Sequence, residues 1–141
     1  MPNLSRKQEL LESFHATFYC FFLNNVTVRL RVGEKNPKLS NWLSANNITR
    51  WAFLTSFNPG AKLCSNSYNK ASYLDLLDLA KQKQWLFFKA EAQPDHQNWP
   101  VEKGIVVFDQ KSIEVKKIAL YFNQLAFVVG AINSAARLVW T

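Results

Sequence analysis

The sequence predicts an α+β fold, in which three to four helices pack on a mixed, largely antiparallel sheet of about five to seven strands. Three observations lead to this class. Helical and strand patterns are intermixed along the 141 residues, and an antiparallel hairpin opens the chain. Connections such as Phe122–Leu125 are also too short for the crossovers of a doubly wound parallel sheet. Because no repeat or linker divides the chain, we predict a single domain over residues 1–141.

The N-terminal segment predicts a short helix followed by a β-hairpin. Residues 1–14 form a helix or an arm, with apolar side chains at helical spacing towards its end. Thr17–Leu23 is dense in aromatic residues and predicts a strand. Asn24 and Asn25 follow, and Asn tolerates the left-handed backbone of a tight turn. Val26–Val32 then alternates apolar and polar residues, the pattern of a strand with one wet face.

The middle of the chain alternates helices and buried strands. The helix that starts near Ser65 has N-cap candidates at its beginning, and we expect Leu74, Leu77 and Leu79–Ala80 to face the core. The predicted elements are a helix over Pro37–Asn46, a strand over Arg50–Phe57, a helix from Ser65 to about Lys83 and a short strand over Trp85–Lys89.

The C-terminal part begins with a polar segment that contains two prolines, Glu91–Pro100, which predicts a loop. A buried strand follows at Gly104–Phe108. Asp109 or Ser112 caps the next helix, whose apolar residues recur at i, i+3, i+4 and i+7. Two more strands are predicted over Leu125–Val129 and Ala136–Trp140.

Composition excludes several classes of function. Glycines are scattered, so no phosphate-binding loop is present. Cys20 and Cys64 are isolated and predict buried thiols, while His15 and His96 are lone residues, His15 with a packing role. We therefore predict no metal site and no cofactor. The chain has no signal sequence and no apolar stretch near the roughly 20 residues that span a bilayer, which predicts a cytoplasmic protein that does not enter a membrane.

Six polar or aromatic residues at the ends of predicted elements are the candidate site. Glu102 is the candidate acid or base, because an apolar setting raises a carboxyl pKa. Each of the six also has a structural explanation: Asn58 suits a turn, Glu102 suits a surface pair with Lys103 or Arg50, and Gln124 suits a clamp. The other candidate ligand-binding residues are Thr55, Asn58, Asn69, Trp99 and Gln124.

The same residues carry a resemblance to DUF3293, a family of small bacterial proteins described as a domain of unknown function. Members have a T-A-x-N-P sequence after a strand, and Thr55–Pro59 resembles it. The family's helix Asn corresponds to Asn69, its W-x-E segment to Trp99–Glu102 with a displacement of one residue, and its F-G-Q-x-A sequence to Phe122–Ala126. The resemblance spans about residues 15 to 130. It implies no activity, but it nominates the same polar set.

Three functional hypotheses follow. The first is a site for a small polar ligand, nucleotide-like or sugar-like, lined by the candidate residues. Glu102 is its only plausible acid or base, and no nucleophile stands out, so the sequence leaves open whether the protein is an enzyme. The second is a basic nucleic-acid-binding module, because the chain carries a net charge of +7 and Arg29 and Arg31 lie on the wet face of the hairpin. The third is a protein-interaction domain that exposes part of the aromatic surplus. The oligomeric state is not predicted.

Overall fold

A computed structural model describes residues 3–95 and 99–141 of the chain, which form an α+β fold around one sheet. Within these ranges the sheet has seven strands in the order β2-β1-β4-β5-β3-β6-β7. The strands are β1 Thr17–Leu23, β2 Val26–Leu30, β3 Arg50–Thr55, β4 Phe87–Pro94, β5 Glu102–Phe108, β6 Ala126–Ala131 and β7 Arg137–Trp140. The helices are α1 Leu4–His15, α2 Pro37–Ala45, α3 Asn66–Gln82 and α4 Ser112–Tyr121, with a single 3₁₀ turn at Pro59–Ala61.

Each pair of neighbouring strands is antiparallel, which confirms the predicted fold class. The predicted N-terminal hairpin is also confirmed, since Leu23 pairs with Val26 across a two-residue turn in which Asn24 has a φ of 55°. The sheet curls until its two edge strands approach each other. The Gly33 amide donates to the Ala136 carbonyl at 2.7 Å, and the Ala136 amide donates to the Glu34 carbonyl at 3.0 Å.

The sheet separates two apolar cores. Its concave face carries Tyr19, Phe21, Trp51, Phe53 and Phe108, and α2 covers one end of this face through Leu39 and Leu43. The opposite face packs against the inner sides of α3 and α4. The alternation of side chains along each strand assigns neighbouring residues to different cores. The concave face beside α1 is where the candidate residues meet.

The polar segment that predicts a loop is largely a strand. β4 continues to Pro94, so the predicted loop over Glu91–Pro100 and the predicted strand end at Lys89 are wrong for the residues up to Pro94. Ala90 and Ala92 point into the core while Glu91 and Gln93 point outward, a period of two that the polar composition concealed. His96 lies outside the described residues, as do residues 1 and 2 of the predicted N-terminal helix.

Three smaller predictions about helices are also wrong. Leu74 is 52 % exposed, because the inward face of α3 is set by Tyr73, Leu76, Leu77 and Ala80. Neither Asp109 nor Ser112 caps α4, because the N-cap position is Lys111, which makes no side-chain capping hydrogen bond. The Asp109 carboxylate instead accepts hydrogen bonds from Thr49 and from the Arg50 amide. His15, the last residue of α1, is exposed rather than packed. Among the described residues, no helix is long and apolar enough to cross a membrane.

A candidate ligand cavity beneath the N-terminal helix

A cavity of about 560 Å³ lies between α1 and the concave face of the sheet. Its volume falls within the range of small-molecule sites. Five of the six predicted site residues line it: Thr55, Asn58, Trp99, Glu102 and Gln124. Asn69 does not line the cavity but contacts Asn58 from behind. The set is therefore gathered in one place, with Asn69 as a supporting residue.

Strand register brings these side chains together. Thr55 ends β3 and Glu102 begins β5, and both belong to the inward-facing rows of adjacent antiparallel strands. Ala92 of β4 is paired with Glu102 and extends the same wall, and Tyr19 is the partner of Ala92 on β1. Leu10 and Phe14 of α1 lie across the cavity from the sheet. The cavity thus has mostly apolar walls and a polar end at the β3 and β5 termini.

Asn58 is the centre of a buried hydrogen-bond network. Its backbone adopts the left-handed conformation, with φ of 49°, and the residue is 2 % exposed. Its Nδ2 donates to Glu102 Oε2 at 2.7 Å, while its Oδ1 accepts from the Cys64 amide and from Asn69 Nδ2, each at 2.9 Å. Asn69 Oδ1 accepts from the Asn58 amide at 2.9 Å. These partners fix the orientation of both side-chain amides, because exchange of oxygen and nitrogen would place donors against donors.

Trp99 provides the second donor to the Glu102 carboxylate. Its indole Nε1 donates to Glu102 Oε2 at 3.1 Å, so two N–H groups converge on one oxygen. Neither an amide nitrogen nor an indole nitrogen accepts hydrogen bonds, and this arrangement favours an ionised carboxylate. The predicted pairing of Glu102 with Lys103 or Arg50 does not occur in the structure.

Thr55 and Gln124 stabilise the segment that carries Asn58. The Thr55 hydroxyl donates to the Lys103 carbonyl at 2.6 Å and accepts from the Phe57 amide at 3.0 Å. Gln124 Nε2 donates to the Phe57 carbonyl at 3.0 Å. The hydroxyl of Thr55 and the amide nitrogen of Gln124 therefore already serve the backbone between β3 and α3. Their first role is to hold the polar end of the cavity in shape.

Burial raises the pKa of Glu102, and the hydrogen bonds from Asn58 and Trp99 oppose this rise by stabilising the anion. Tyr19, which is only 2 % exposed, lines the same cavity. Burial raises the pKa of Tyr19 strongly, and the nearby negative charge of Glu102 raises it further. The hydroxyl of Tyr19 therefore stays protonated. The polar end combines a desolvated carboxylate with a neutral phenol.

The mouth of the cavity is acidic although the chain as a whole is basic. Glu9 and Glu12 of α1 line it together with Arg6, whose guanidinium lies 3.6 Å from Glu9. With Glu102, the charged residues among the described part of the lining are one arginine and three glutamates, a formal charge of −2. No lysine lines the described part of the cavity.

Arg29 and Arg31 lie elsewhere, on the outer face of the hairpin. Their guanidinium carbons lie 3.4 Å and 4.0 Å from the centre of the Phe18 ring. Arg31 also forms an ion pair with Asp95 at 2.7 Å. Phe22, on the same face, is 68 % exposed. The structure therefore separates this basic surface from the cavity.

Two kinds of cavity residue escape the reasoning from sequence. Tyr19 sits within an aromatic strand, where its hydroxyl cannot be distinguished from packing, although its inward place in the alternation of β1 is a usable signal. Glu9 and Glu12 resemble ordinary solvent-facing helix residues, and no sequence pattern relates α1 to β5. Cys20 and Cys64 are free thiols, and both are half-buried, so the prediction that they are buried is wrong. Within the described residues, no group of three His, Cys, Asp or Glu side chains is placed to hold a metal ion.

Fold and cavity together define a small α+β protein with a preformed cavity beside a partly buried carboxylate. Residues 54–127, more than half of the chain, match the family described as "Protein of unknown function (DUF3293)", and the chain belongs to this family. All six predicted site residues lie within the matched segment, whereas Tyr19 and α1 lie outside it. Comparison with curated proteins and with solved structures gave no significant match.

Proposed function

We propose that this protein binds a small polar ligand, nucleoside-like or sugar-like in size, in the cavity between α1 and the sheet. The observation that supports the proposal is the convergence of Thr55, Asn58, Trp99, Glu102 and Gln124 on one cavity of about 560 Å³. The apolar walls would bury the body of the ligand, and Glu102 would accept a hydrogen bond from its polar group. Asn69 would position Asn58 rather than touch the ligand.

The charges around the cavity narrow the ligand class. A phosphate group would face Glu102 in an apolar setting and Glu9 and Glu12 at the mouth, and Arg6 is the one cation among the described lining residues that would offset them. Like charges in a desolvated site repel strongly. A nucleoside or sugar without its phosphate therefore suits the cavity better than a nucleotide does.

A catalytic role would fall to Glu102, the only carboxyl group at the polar end among the described lining residues. Its raised pKa brings a carboxyl closer to the range useful for proton transfer near neutral pH. No activated nucleophile stands among the described lining residues, so proton transfer is the chemistry we would test first. We also propose a cytoplasmic location, where the free thiols of Cys20 and Cys64 stay reduced.

A cavity-filling substitution tests ligand binding. Ala126 is buried and lines the cavity, so Ala126→Phe would occupy the space of the ligand. The matched control is Ala71→Phe, the same change at an exposed position of α3. We expect NMR screening with nucleosides, sugars and small fragments to give ligands that bind the wild type and Ala71→Phe but not Ala126→Phe. Ligands that bind all three proteins equally, or an absence of ligands for the wild type, would contradict the proposal.

A second candidate function is nucleic-acid binding by the outer face of the hairpin. Arg29, Lys89 and exposed Phe22 share this face, and Arg29 has no ion pair among the described residues. Against it, Phe18 is covered by two guanidinium groups and Arg31 is paired with Asp95. The test is binding of single-stranded RNA at low salt. Affinity that falls steeply with salt and with Arg29→Gln would support it.

A third candidate is protein interaction through exposed apolar side chains. Phe22, Tyr68 and Tyr121 are the exposed aromatic residues among those described. Sedimentation over a range of concentrations tests the simplest form, self-association. A mass that stays constant would remove it.

A further inference from the structure

We propose that the ligand of the cavity carries a cationic nitrogen, an ammonium or amidinium group, which pairs with Glu102. This inference rests on the proposed function and specifies the ligand's chemistry. It follows from the charge at the polar end, the walls around it and the charges at the mouth.

The partly buried carboxylate of Glu102 has only neutral partners among the described residues. Asn58 and Trp99 both donate to Oε2, and no lysine, arginine or histidine within the described ranges lies within ion-pair distance of Glu102. A buried charge without a counter-charge is costly, and a hydrogen-bonded cation is the partner that offsets most of this cost. Both hydrogen bonds go to Oε2 of Glu102, so Oε1 has no hydrogen-bond partner among the described residues. A ligand in the cavity would therefore meet an acceptor that has no counter-ion within residues 3–95 and 99–141.

The aromatic side chains of the cavity wall suit both the hydrocarbon part and the cationic group of such a ligand. Tyr19, Phe53 and Trp99 line the cavity near Glu102. Aromatic faces attract cations when water is excluded. Phe53 lies close against the sheet because Gly104 leaves space there: a Cβ at Gly104 would stand 2.8 Å from the Phe53 ring. A carboxylate framed by aromatic rings is a chemically sound receptor for an amine.

The mouth of the cavity is also negatively charged. Glu9 and Glu12 line it. Arg6, the one basic residue among the described lining residues, forms an ion pair with Glu9 and donates to the Ala61 carbonyl at 3.5 Å. The chain as a whole is basic, with a net charge of +7. Acidic residues at an entrance raise the local concentration of cations and lower that of anions. The local charge therefore opposes the global charge at this one cavity.

Three probes of nearly equal shape and different charge test the inference: 2-phenylethylamine, 2-phenylethanol and phenylacetate. The reporter is the indole N–H resonance of Trp99, assigned with Trp99→Phe, because this proton lies in the hydrogen bond to Glu102. We expect the amine to bind at least about tenfold more tightly than the alcohol, since hydrogen bonds to charged partners are the stronger ones. Phenylacetate should bind more weakly than the alcohol.

Two sets of variants complete the test. Glu102→Gln should remove the preference for the amine while the alcohol still binds, and Glu9→Gln with Glu12→Gln should weaken amine binding about two- to threefold. Glu114→Gln, the same change on α4 away from the cavity, should have no effect. Equal affinity for amine and alcohol would overturn this inference and leave the proposed function intact. A Trp99 resonance that none of the three probes shifts would also overturn this inference, whereas the proposed function fails only if the nucleoside, sugar and fragment screen gives no ligand that Ala126→Phe excludes.

Discussion

At the scale of single residues, Asn58 connects the most structure with one side chain. It joins the amide of Cys64, the side chain of Asn69 and the carboxylate of Glu102, in a left-handed backbone that Asn tolerates better than most residues. Loss of this side chain would leave two buried groups without a partner. Asn58 therefore stabilises the loop before α3 and also positions the Glu102 carboxylate.

We expect Asn58→Ala to lower the free energy of unfolding by about 2–4 kcal/mol, because unpaired buried polar groups each cost about 1–3 kcal/mol. The matched control is Asn24→Ala, which changes an exposed Asn with nearly the same φ. The control should cost only about 1 kcal/mol, the backbone part alone. Urea unfolding of both variants measures the difference. Equal losses would show that the hydrogen bonds of Asn58 contribute nothing beyond its backbone conformation.

The pKa of Glu102 gives a prediction about pH. Because this pKa is raised in the folded protein, the folded state holds the proton more tightly than the unfolded chain does. Stability therefore falls as the pH rises from the ordinary value of 4.5 through the folded pKa, and the cost is fully present above it. Glu102→Gln removes the charge and keeps an acceptor oxygen. We expect it to be at least as stable as the wild type at pH 7, with an advantage that shrinks as the pH approaches 4.5.

Asp109 is an internal control, because its pKa is shifted in the opposite direction to that of Glu102. Desolvation is the largest single influence on its pKa and raises it, but the hydrogen bonds from Thr49 and Arg50 and the Arg50 charge lower the net pKa. Its contribution to stability is therefore present above the ordinary value of 3.8 and is lost as the pH falls through the folded pKa. Asp109→Asn should lower stability at pH 7, the opposite direction to Glu102→Gln. Urea unfolding between pH 4 and pH 8 measures the free energy of unfolding of both variants. A loss of stability at pH 7 in both would contradict the assigned directions of the two pKa shifts.

At the scale of elements, β3 and β5 approach each other closely at Gly104, beside the cavity. A Cβ at Gly104 would stand 2.5 Å from the Leu54 carbonyl oxygen, a distance that requires the backbone to move. Phe53 would be pushed from its place in the cavity wall. This pair of strands therefore determines both the stability and the shape of the site.

We expect Gly104→Ala to lower the free energy of unfolding by about 2–4 kcal/mol through overpacking. Ala90→Gly, at the position paired with Gly104 on β4, is the control and should cost about 1 kcal/mol. Thermal unfolding compares the two. If Gly104→Ala costs no more than its control, the close packing of β3 on β5 is not tight enough to shape the cavity.

α1 has far fewer buried residues than the central strands of the sheet. Leu10 is its one buried residue, whereas β5 is buried over five successive residues up to Phe108. Elements with few buried contacts open at lower free energy than the core does. We expect amide hydrogens of α1 to exchange much faster than those of β3 and β5, and a saturating cavity ligand to slow the exchange of α1. Equal protection in α1 and β5 without ligand would contradict this description of the helix.

At the scale of the whole molecule, the sequence predicted the helices and strands better than it predicted their order in the sheet and their packing. Period-two and helical patterns were sufficient for the hairpin, for α2 and for the helix that Ser65 caps at Tyr68. They failed at β4, where alternating Ala and polar residues continue the strand through a segment whose composition resembles a loop. Strand order and curl depend on long-range pairings such as Gly33 with Ala136, which no local pattern records.

The candidate site was predictable only in part. Polar residues at element ends led to Thr55, Asn58, Asn69, Glu102 and Gln124, because polar groups after buried strands are unusual enough to see. The sequence did not distinguish which of them faces a cavity and which supports it. Tyr19 and the acidic residues of α1 join the cavity through the sheet's curl, a property of the whole molecule. The contrast between a basic chain and an acidic cavity also emerges only at this scale.

The most direct measurement is a crystal structure of the wild-type protein grown with the tightest ligand from the amine, nucleoside and sugar screen. We predict ligand density between α1 and the concave face of the sheet, with a nitrogen or hydroxyl within about 3 Å of Glu102, the length of a hydrogen bond. Density for the ligand on the outer face beside Arg29, or a cavity that holds only water while the ligand binds elsewhere, would contradict the assignment of this cavity as the functional site.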